Sequence, residues 1–494
     1  MKYDVAIIGS GFGGAVSAYK LSRSGLNVCL LERGPWRIAP DEKTGGSLSP
    51  DEIAPMPVGW RNLTYMLRGL HHRRLPKASG VLNKKGLFEI FSAGNINVVC
   101  ASAMGGGSHV YGGLHARPLS SAYWDSVSSH LRARDLDLHY AAMLKLFRSK
   151  PAPRRTGMPV LNVQGLLTEV GSEAQPAWGY GPQRDCLEPW FQNTDFDQEG
   201  PFGSPGAQKM TLDKLLIGPA IEQAGLKVQA LCDVMNIERH AQGFTIRCRD
   251  LKTGADNALN ASRIVVAAGA INTVSILTAS VEQRLLPAIP ALGERFSANA
   301  DVMAFLPTGN ASASQQNQGP YQRMYQSQDS ASRFVMLQTG IFGLGLLPLP
   351  KSVKRWLARQ ICIAAIGEDS ANGNVKLLNG RVGIEYDYGR NPVVSVIQQV
   401  FRQLATRSHA RLFMSKKITT VHPLGGAVIA DNPLQGVINH LGEVHQIPGL
   451  YIADASVFPA ALGAPPSLSI AAWASHVADH IIHQHNQSGF NVSQ

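Results

Sequence analysis

Tyr3-Asp4-Val5-Ala6-Ile7-Ile8 is an apolar run of strand length, and Gly9-Ser10-Gly11-Phe12-Gly13-Gly14 follows it without a gap. Ala15 to Leu21 then carries apolar residues at helical spacing. Strand, glycine turn and helix in this order are what a dinucleotide-binding βαβ unit needs. Gly9 allows the tight turn, Gly11 lets a pyrophosphate come close to the backbone, and Gly14 lets helix and strand pack closely. The unpaired N–H groups of the helix start are offered to the phosphates. Leu26 to Leu31 reads as the second strand and ends in Glu32, about where an acid binds a ribose hydroxyl. Glu32 is an acid, and no arginine stands in its place to take a 2′-phosphate. The motif alone leaves NAD and FAD both open, and its bland alternative is a glycine turn in an ordinary α/β domain.

The chain has 494 residues, enough for two domains or one large two-lobed unit. With 44% hydrophobic and 16% charged residues it can build a large core. Its six cysteines form no CxxC pair, which argues against a zinc site and a disulfide framework, and no metal site is expected. The first strand starts at residue 3, leaving no room for a signal peptide, and no apolar run reaches the roughly 20 residues of a spanning helix. A cytoplasmic protein is expected. The net charge of +11 fits a solvated basic surface, since no nucleic-acid module or long basic run accompanies it.

Residues 34 to 90 are rich in Pro, Gly and charge and read as an irregular excursion. Asn95 to Cys100 reads as a strand leading into Met104-Gly105-Gly106-Gly107-Ser108-His109-Val110-Tyr111. Three consecutive glycines point to a backbone that a ligand approaches closely or that needs positive φ. Residues 121 to 149 look helical, 150 to 206 read as loop, and Thr211 to Ala224 as a helix. Lys227 to Leu231, Gly243 to Arg249 and Arg263 to Ala270 read as strands, with a helix from Asn272. Phe334 to Gln338 alternates, and Asn374 to Leu378 with Arg381 to Tyr386 form a hairpin-like pair in a second, antiparallel domain. Ile341 to Leu349 is apolar and precedes the basic amphipathic Lys351 to Leu357. That pairing can touch a membrane weakly, guard an apolar pocket, or be a packed helix. Leu450 to Asp454 reads as a strand ending in an acid, and Pro466-Ser467 opens a helix from Leu468 to Ile482.

Together these motifs resemble the glucose–methanol–choline (GMC) oxidoreductases, and most of all their cholesterol-oxidase branch. The residues that carry the resemblance are Gly9 to Glu32, Gly105 to Ser108 with Tyr111, Gly269 to Thr273, Gly293 to Asp301, His422-Pro423-Leu424-Gly425-Gly426 and Tyr451 to Asp454. They run in family order from residue 5 to about residue 480. The resemblance implies an α/β fold: a Rossmann-like FAD-binding domain and a second α+β substrate domain built on an antiparallel sheet. The FAD-binding domain would take residues 1–294, with irregular insertions at 34–90 and 150–206. The substrate domain would take 295–415 and recruit parts of 150–206, and 416–494 would return to the first domain with His422. The resemblance decides for FAD. It implies ADP contacts from Gly9, Gly11, Gly14 and Glu32, and an adenine contact from the Val234 backbone. Gly106, Ser108 and His109 would lie along the flavin, Asp454 near the pyrophosphate and ribityl chain, and Pro466 and Ser467 at the pyrimidine edge, where the helix end favours negative charge.

Alcohol oxidation needs a group that takes the hydroxyl proton, and a histidine suits it. His422 matches the family's active-site histidine; the bland alternative is a hydrogen-bonded structural residue. The family's second polar residue, Asn or His, is replaced here by Pro465, which has no side-chain donor and no N–H. His109 is a further departure: it either attaches FAD covalently, lies on the flavin or helps catalysis, or is structural. Tyr111 and Glu368 are candidates for the substrate pocket, Glu368 with a solvated or structural alternative. His115, His440 and His445 read as surface or loop residues. The expected activity is oxidation of a hydroxyl on an apolar small molecule, sterol-like or a long-chain alcohol. Two alternatives remain open: atypical chemistry on the same flavoprotein fold (non-redox, decarboxylating, light-driven or a specialised biosynthetic step), and a non-catalytic FAD-binding protein. No nucleic-acid partner is expected.

Overall fold

The computed structural model describes residues 2–37, 52–53, 60–72, 81–151, 161–170, 190–192, 209–307, 323–339, 349–378 and 380–491. The opening apolar run forms the strand Lys2–Ile8, an inner member of a seven-stranded sheet. Val5 to Ile8 are all buried, as a strand covered on both faces requires, so they read as a continuous apolar run rather than an alternation. Lys2–Ile8 pairs in parallel with Val28–Leu31 on one side and Asp256–Val266 on the other. Lys227–Gln229 extends the parallel set outside Val28–Leu31, and Leu450–Ile452 joins it beside the end of Asp256–Val266. Gly243–Asp250 and Cys232–His240 close the far edge antiparallel. The carboxyl ends of the parallel strands meet along one edge, where an open α/β sheet binds its ligands. Glu32, the Ala267–Gly269 turn and Asp454 all lie there.

The glycine turn is packed to backbone contact. Gly9 has φ +95°, and a Cβ on it would lie 2.3 Å from the Ala267 carbonyl oxygen. A Cβ on Gly13 would lie 1.5 Å from the Ala453 oxygen, and one on Gly14 would lie 1.8 Å from the Gly9 oxygen. The helix Phe12–Arg23 is thereby set directly on the turn after Leu450–Ile452. The C-terminal helix Ser467–Asn491 lies across it, with Lys20 Nζ 2.6 Å from Asp479.

A second sheet of six strands is antiparallel throughout, in the order Leu167–Glu169, Arg323–Ser327, Phe334–Thr339, Gln360–Gly367, Val302–Pro307 and Phe413–Met414. The hairpin Gly373–Leu378 with Arg381–Glu385 forms as expected but lies outside that sheet; it pairs with Glu294–Phe296 in a sheet of three. A four-stranded sheet holds Ile418–Thr420, Ile96–Ala101, Phe88–Ala93 and Leu67–His72. Ile418–Thr420 runs parallel to Ile96–Ala101, so the chain before His422 and the chain before the triple-glycine loop leave the same sheet in the same direction.

Several expectations are corrected. Residues 34 to 90 are not all irregular: Trp60–Met66 is helical, and Leu67–His72 and Phe88–Ala93 are strands. Their alternation is masked by buried charge, because Arg68 and Glu89 are 1% and 2% exposed. Glu89 is paired with Arg33 and with His71 at 2.8 Å. Helix in 121 to 149 is confined to Ala133–Leu146 after a short 3-10 turn at Trp124–Ser126. Asp213–Ile217 is a π turn leading into the helix Gly218–Ala224. Lys351–Ala358 is a helix that packs through Trp356, whose ring lies edge-on to Phe413 at 5.3 Å, while no residue from 351 to 357 is fully buried. The apolar residues 340–348 lie outside the described residues. Among the described residues no helix is long and apolar enough to cross a membrane.

His115, expected at the surface, is fully buried in the strand Leu114–His115, with Nδ1 2.7 Å from Ser149 Oγ. Burial holds its pKa down to about 3. Burial also holds His139 down to about 4, with His476 adding to the effect and Asp479 opposing it. His440, His476 and His480 are lowered for the same leading reason. These imidazoles are neutral in the fold and protonate more readily once unfolded, so the unfolded chain binds more protons and stability falls as pH is lowered. Their contribution is complete above about pH 6.5 and is lost between about pH 6.5 and 3. Thermal unfolding followed across that window should show a steadily falling Tm, and His139→Asn should flatten the fall; a Tm independent of pH there would contradict it. Gly13→Ala, which drives a methyl into the Ala453 carbonyl, should leave little folded protein by circular dichroism.

Candidate active site

The ligand edge is assembled by backbone contact and by carboxylates. Glu32, buried after Val28–Leu31, accepts the Ser10 N–H at 2.9 Å, the Ser10 hydroxyl at 2.6 Å and the Gly34 N–H at 2.7 Å. Ser10 Oγ in turn accepts the Gly105 N–H at 3.0 Å, which ties the first glycine turn to the triple-glycine loop. The two meet closely: a Cβ on Gly106, at φ +54°, would lie 2.7 Å from the Gly11 Cα. A Cβ on Gly11 or Gly107 would meet nothing within 4 Å, so both backbones border open space. No side chain caps the helix at Gly11, which leaves its first N–H groups free for an anion. Val234 lies on Cys232–His240, the edge strand whose first N–H, on Cys232, donates to the Glu32 carbonyl at 2.9 Å. The strand register shifts between Val234 and Asn236. Arg33, next to Glu32, is engaged by Glu89; burial would raise this carboxyl, but the guanidinium overcomes it and holds it at about 2. These features fit a dinucleotide lying across Gly9 to Gly14 with a ribose at Glu32.

Asp454 is buried with both oxygens committed to protein donors. Oδ1 accepts Ser456 N at 2.8 Å and Ser456 Oγ at 2.6 Å, and Oδ2 accepts Gly269 N at 2.9 Å and the Thr273 hydroxyl. It therefore acts by locking the Ala267–Gly269 turn to the 454–456 turn. Ser108 is likewise turned inward, donating to the Gly105 carbonyl at 2.7 Å and accepting Leu212 N at 3.1 Å. The His109 side chain is 4% exposed, with Nε2 2.7 Å from the Met104 carbonyl and 3.4 Å from Asp213 Oδ1. A ring so engaged by its own loop favours the structural alternative over the catalytic and covalent ones. Burial pushes the Asp213 carboxyl up, but His109 beside it holds it below the usual carboxylate range. Lys209, also buried, donates to the carbonyls of His109 at 3.2 Å and Tyr111 at 2.9 Å and so fixes the end of the loop. Tyr111 packs edge-on to Phe12 at 5.2 Å and beside His115 at 5.8 Å, so its contacts are with the dinucleotide side and not with His422.

A second cluster gathers at the ends of the two sheets. His422 follows Ile418–Thr420, and its Nδ1 lies 3.0 and 3.1 Å from the two carboxylate oxygens of Asp301. The side chain is 23% exposed, and among the described residues its Nε2 has no protein hydrogen bond. Asn299, two residues before Asp301, accepts the N–H groups of Leu462 and Gly463 at 3.1 and 3.0 Å and donates to the Ala464 carbonyl at 2.8 Å. The segment carrying Pro465 and Pro466 is thereby held beside the turn that holds His422. Ser467 begins the last helix, and its Oγ donates to the Leu114 carbonyl at 3.2 Å. Glu368 reaches the same segment: a Cβ on Gly463 would lie 2.9 Å from its Cγ. Burial raises Glu368, opposed by Arg333, whose Nε donates to it at 2.9 Å. Leu119, Met324, Val335, Ile366 and Ala464 form an apolar cluster behind it. Asp301, Asn299, Ser10 and Gly13 were not singled out as site residues from sequence. The only signal was their place inside motifs whose neighbours drew the attention.

Residues 376–474 match the GMC oxidoreductase family model, and residues 7–37 match a model of an NAD(P)-binding Rossmann-like domain. A cholesterol oxidase of Mycobacterium tuberculosis is 25% identical, covering 96% of this chain and 90% of its own. One of Acinetobacter baumannii is 24% identical, covering 98% and 95%. Among solved structures, a fungal aryl-alcohol oxidase aligns with a TM-score of 0.59 at 14% identity, and the pyridoxine 4-oxidase of Mesorbium loti with 0.57 at 13%. Each alignment covers 98% of this chain and 99% of the other, and shows a shared fold. The segment that holds His422 is thus a GMC oxidoreductase C-terminal domain by its family model, in a chain whose cholesterol-oxidase relatives and matching folds span nearly its whole length.

Proposed function

We propose that the protein is an FAD-dependent oxidase or dehydrogenase for a hydroxyl group on a largely apolar small molecule, with His422 as the base. The observation that carries this is the His422 ring, anchored through Nδ1 and, among the described residues, without a partner at Nε2, two residues after a strand paired with the one that leads into the triple-glycine loop. The open backbones of Gly11 and Gly107, the bare helix start and Glu32 are the residues that would hold FAD. When bound, the flavin supplies the acceptor for the hydride leaving the alcohol carbon. The protein's part is to hold the hydroxyl oxygen and take its proton. A substrate hydroxyl within hydrogen-bond reach of Nε2 gives its proton there, and the anchored ring moves little in doing so.

An apolar substrate is supported by the Leu119, Met324, Val335 and Ile366 cluster behind the Gly463–Pro465 segment and by the names of the two cholesterol oxidases. Glu368 is the remaining polar group beside that segment. Pro465 favours a second reading, because the Asn299 amide is spent on the backbone of 462–464 and does not replace the missing donor. Under it the flavin would serve a reaction without net reduction.

The test is anaerobic mixing of the flavin-loaded protein with a panel of sterols and long-chain alcohols while the visible flavin band is followed. One compound class should bleach it. Substrate turnover with an unbleached flavin would favour the second reading. His422→Ala should keep its flavin and slow bleaching by about 10²–10⁴-fold; a rate equal to the parent's would remove His422 from the chemistry. Gly11→Ala should fold with the parent's Tm but copurify with little flavin, since its methyl enters only the open space.

A further inference from the structure

We propose that Asp301 is the positioning residue of His422, and that the turn 298–301 is built to deliver it; this rests on His422 being the base. An ionised carboxylate only accepts hydrogen bonds, and both Asp301 oxygens face Nδ1 at 3.0 and 3.1 Å, so Nδ1 carries the ring hydrogen. In a neutral imidazole the other nitrogen, Nε2, is then the bare acceptor. The rest of the carboxylate is fixed independently of the ring. Oδ2 accepts the Thr420 hydroxyl at 2.8 Å and the Val421 N–H at 2.9 Å. Because the Thr420 hydroxyl hydrogen goes to Asp301, its oxygen is open to the His422 N–H at 3.0 Å. Ring and backbone of His422 are thus set by the same pair of residues.

The turn itself is unusual. Asn299 and Ala300 have φ 52° and 45°, two consecutive non-glycine residues in the left-handed region. Such strain persists only where the surroundings over-determine it, and it concentrates at functional sites. The surroundings here are explicit. Asp369 Oδ2 accepts Ala298 N at 3.0 Å, Ala300 N at 3.1 Å and the Tyr386 hydroxyl at 2.8 Å. Ser297 Oγ accepts Asn299 N at 2.9 Å. The strained turn places Asn299 on residues 462–464 and Asp301 on residues 420–422, so one short segment sets the spacing between the base and the loop bearing Pro465. When the substrate O–H bond breaks and the proton joins Nε2, the Asp301 carboxylate faces the ring that receives it. With no donor at Pro465, this charge is the protein's compensation on the proton-accepting side.

The tautomer is read directly by ¹⁵N NMR of protein carrying ¹⁵N-labelled histidine, at alkaline pH. The native protein should show His422 with hydrogen on Nδ1. Asp301→Asn, whose amide also donates, should shift the population toward hydrogen on Nε2. Its anaerobic flavin bleaching should slow on the order of 10²-fold with flavin content retained and KM within about threefold, and Asp301→Glu should recover part of the rate. Native protein with hydrogen on Nε2 overturns the proposal without any variant, so a poorly folding Asp301→Asn protein does not protect it. An Asp301→Asn protein with the native tautomer and rate, beside a slow His422→Ala protein, also overturns it. A His422→Ala protein as fast as the parent fails the base assignment instead, whatever the tautomer.

Discussion

The whole arrangement depends on backbone approaching backbone where no side chain intervenes. The turn after the first strand touches the turn after Asp256–Val266 at Gly9, the turn after Leu450–Ile452 at Gly13, and the triple-glycine loop at Gly11 against Gly106. Those partners lie some hundred to more than four hundred residues away in sequence. A methyl group at Gly9 or Gly13 would not fit, and at such positions even backbone adjustment displaces a neighbouring strand end. The same closeness that packs the sheet edge leaves the first turn of Phe12–Arg23 without a side-chain cap, beside open space at Gly11. Fold and ligand site are therefore one constraint, which explains why the N-terminal motif is so dense in glycine.

Around this edge, carboxylates act as brackets between segments rather than as free charges. Glu32 joins the first glycine turn to Gly34, Asp454 joins two turns at strand ends, and Asp369 braces the 298–300 backbone. Buried carboxylates are tolerated because each accepts several N–H or O–H donors. Asp301 differs in that one of its partners, His422, is partly exposed and keeps a free nitrogen. It stands where the bracing of the fold becomes the orientation of the His422 ring.

The parallel sheet was legible because Val5–Ile8, Val28–Leu31 and Ile264–Val266 are continuous apolar runs flanked by glycine turns. His422 was legible only through the family resemblance of the five residues it opens. Its partner was not: Asp301 lies 121 residues away, and its approach depends on left-handed conformations at Asn299 and Ala300 that no local preference announces. The sheet at 67–101 was half missed for an electrostatic reason, since Arg68 and Glu89 look like surface residues until their burial against Arg33 and His71 is seen. His115 was misread because a two-residue strand leaves no periodicity, and its Ser149 partner comes from a separate element. Side chains such as Ser108 and Asp454 sit in the right motifs but spend their polar atoms on the protein, a distinction that sequence does not carry.

The central claim is that a carbon bearing a hydroxyl gives up its hydrogen while His422 takes the hydroxyl proton. The most direct measurement is the anaerobic flavin-reduction rate with a bleaching alcohol, compared with the same alcohol carrying deuterium on its carbinol carbon. The account predicts that the deuterated compound reduces the flavin several-fold more slowly in the native protein. Equal rates in a step that chemistry limits, or a flavin that no alcohol reduces, would contradict it.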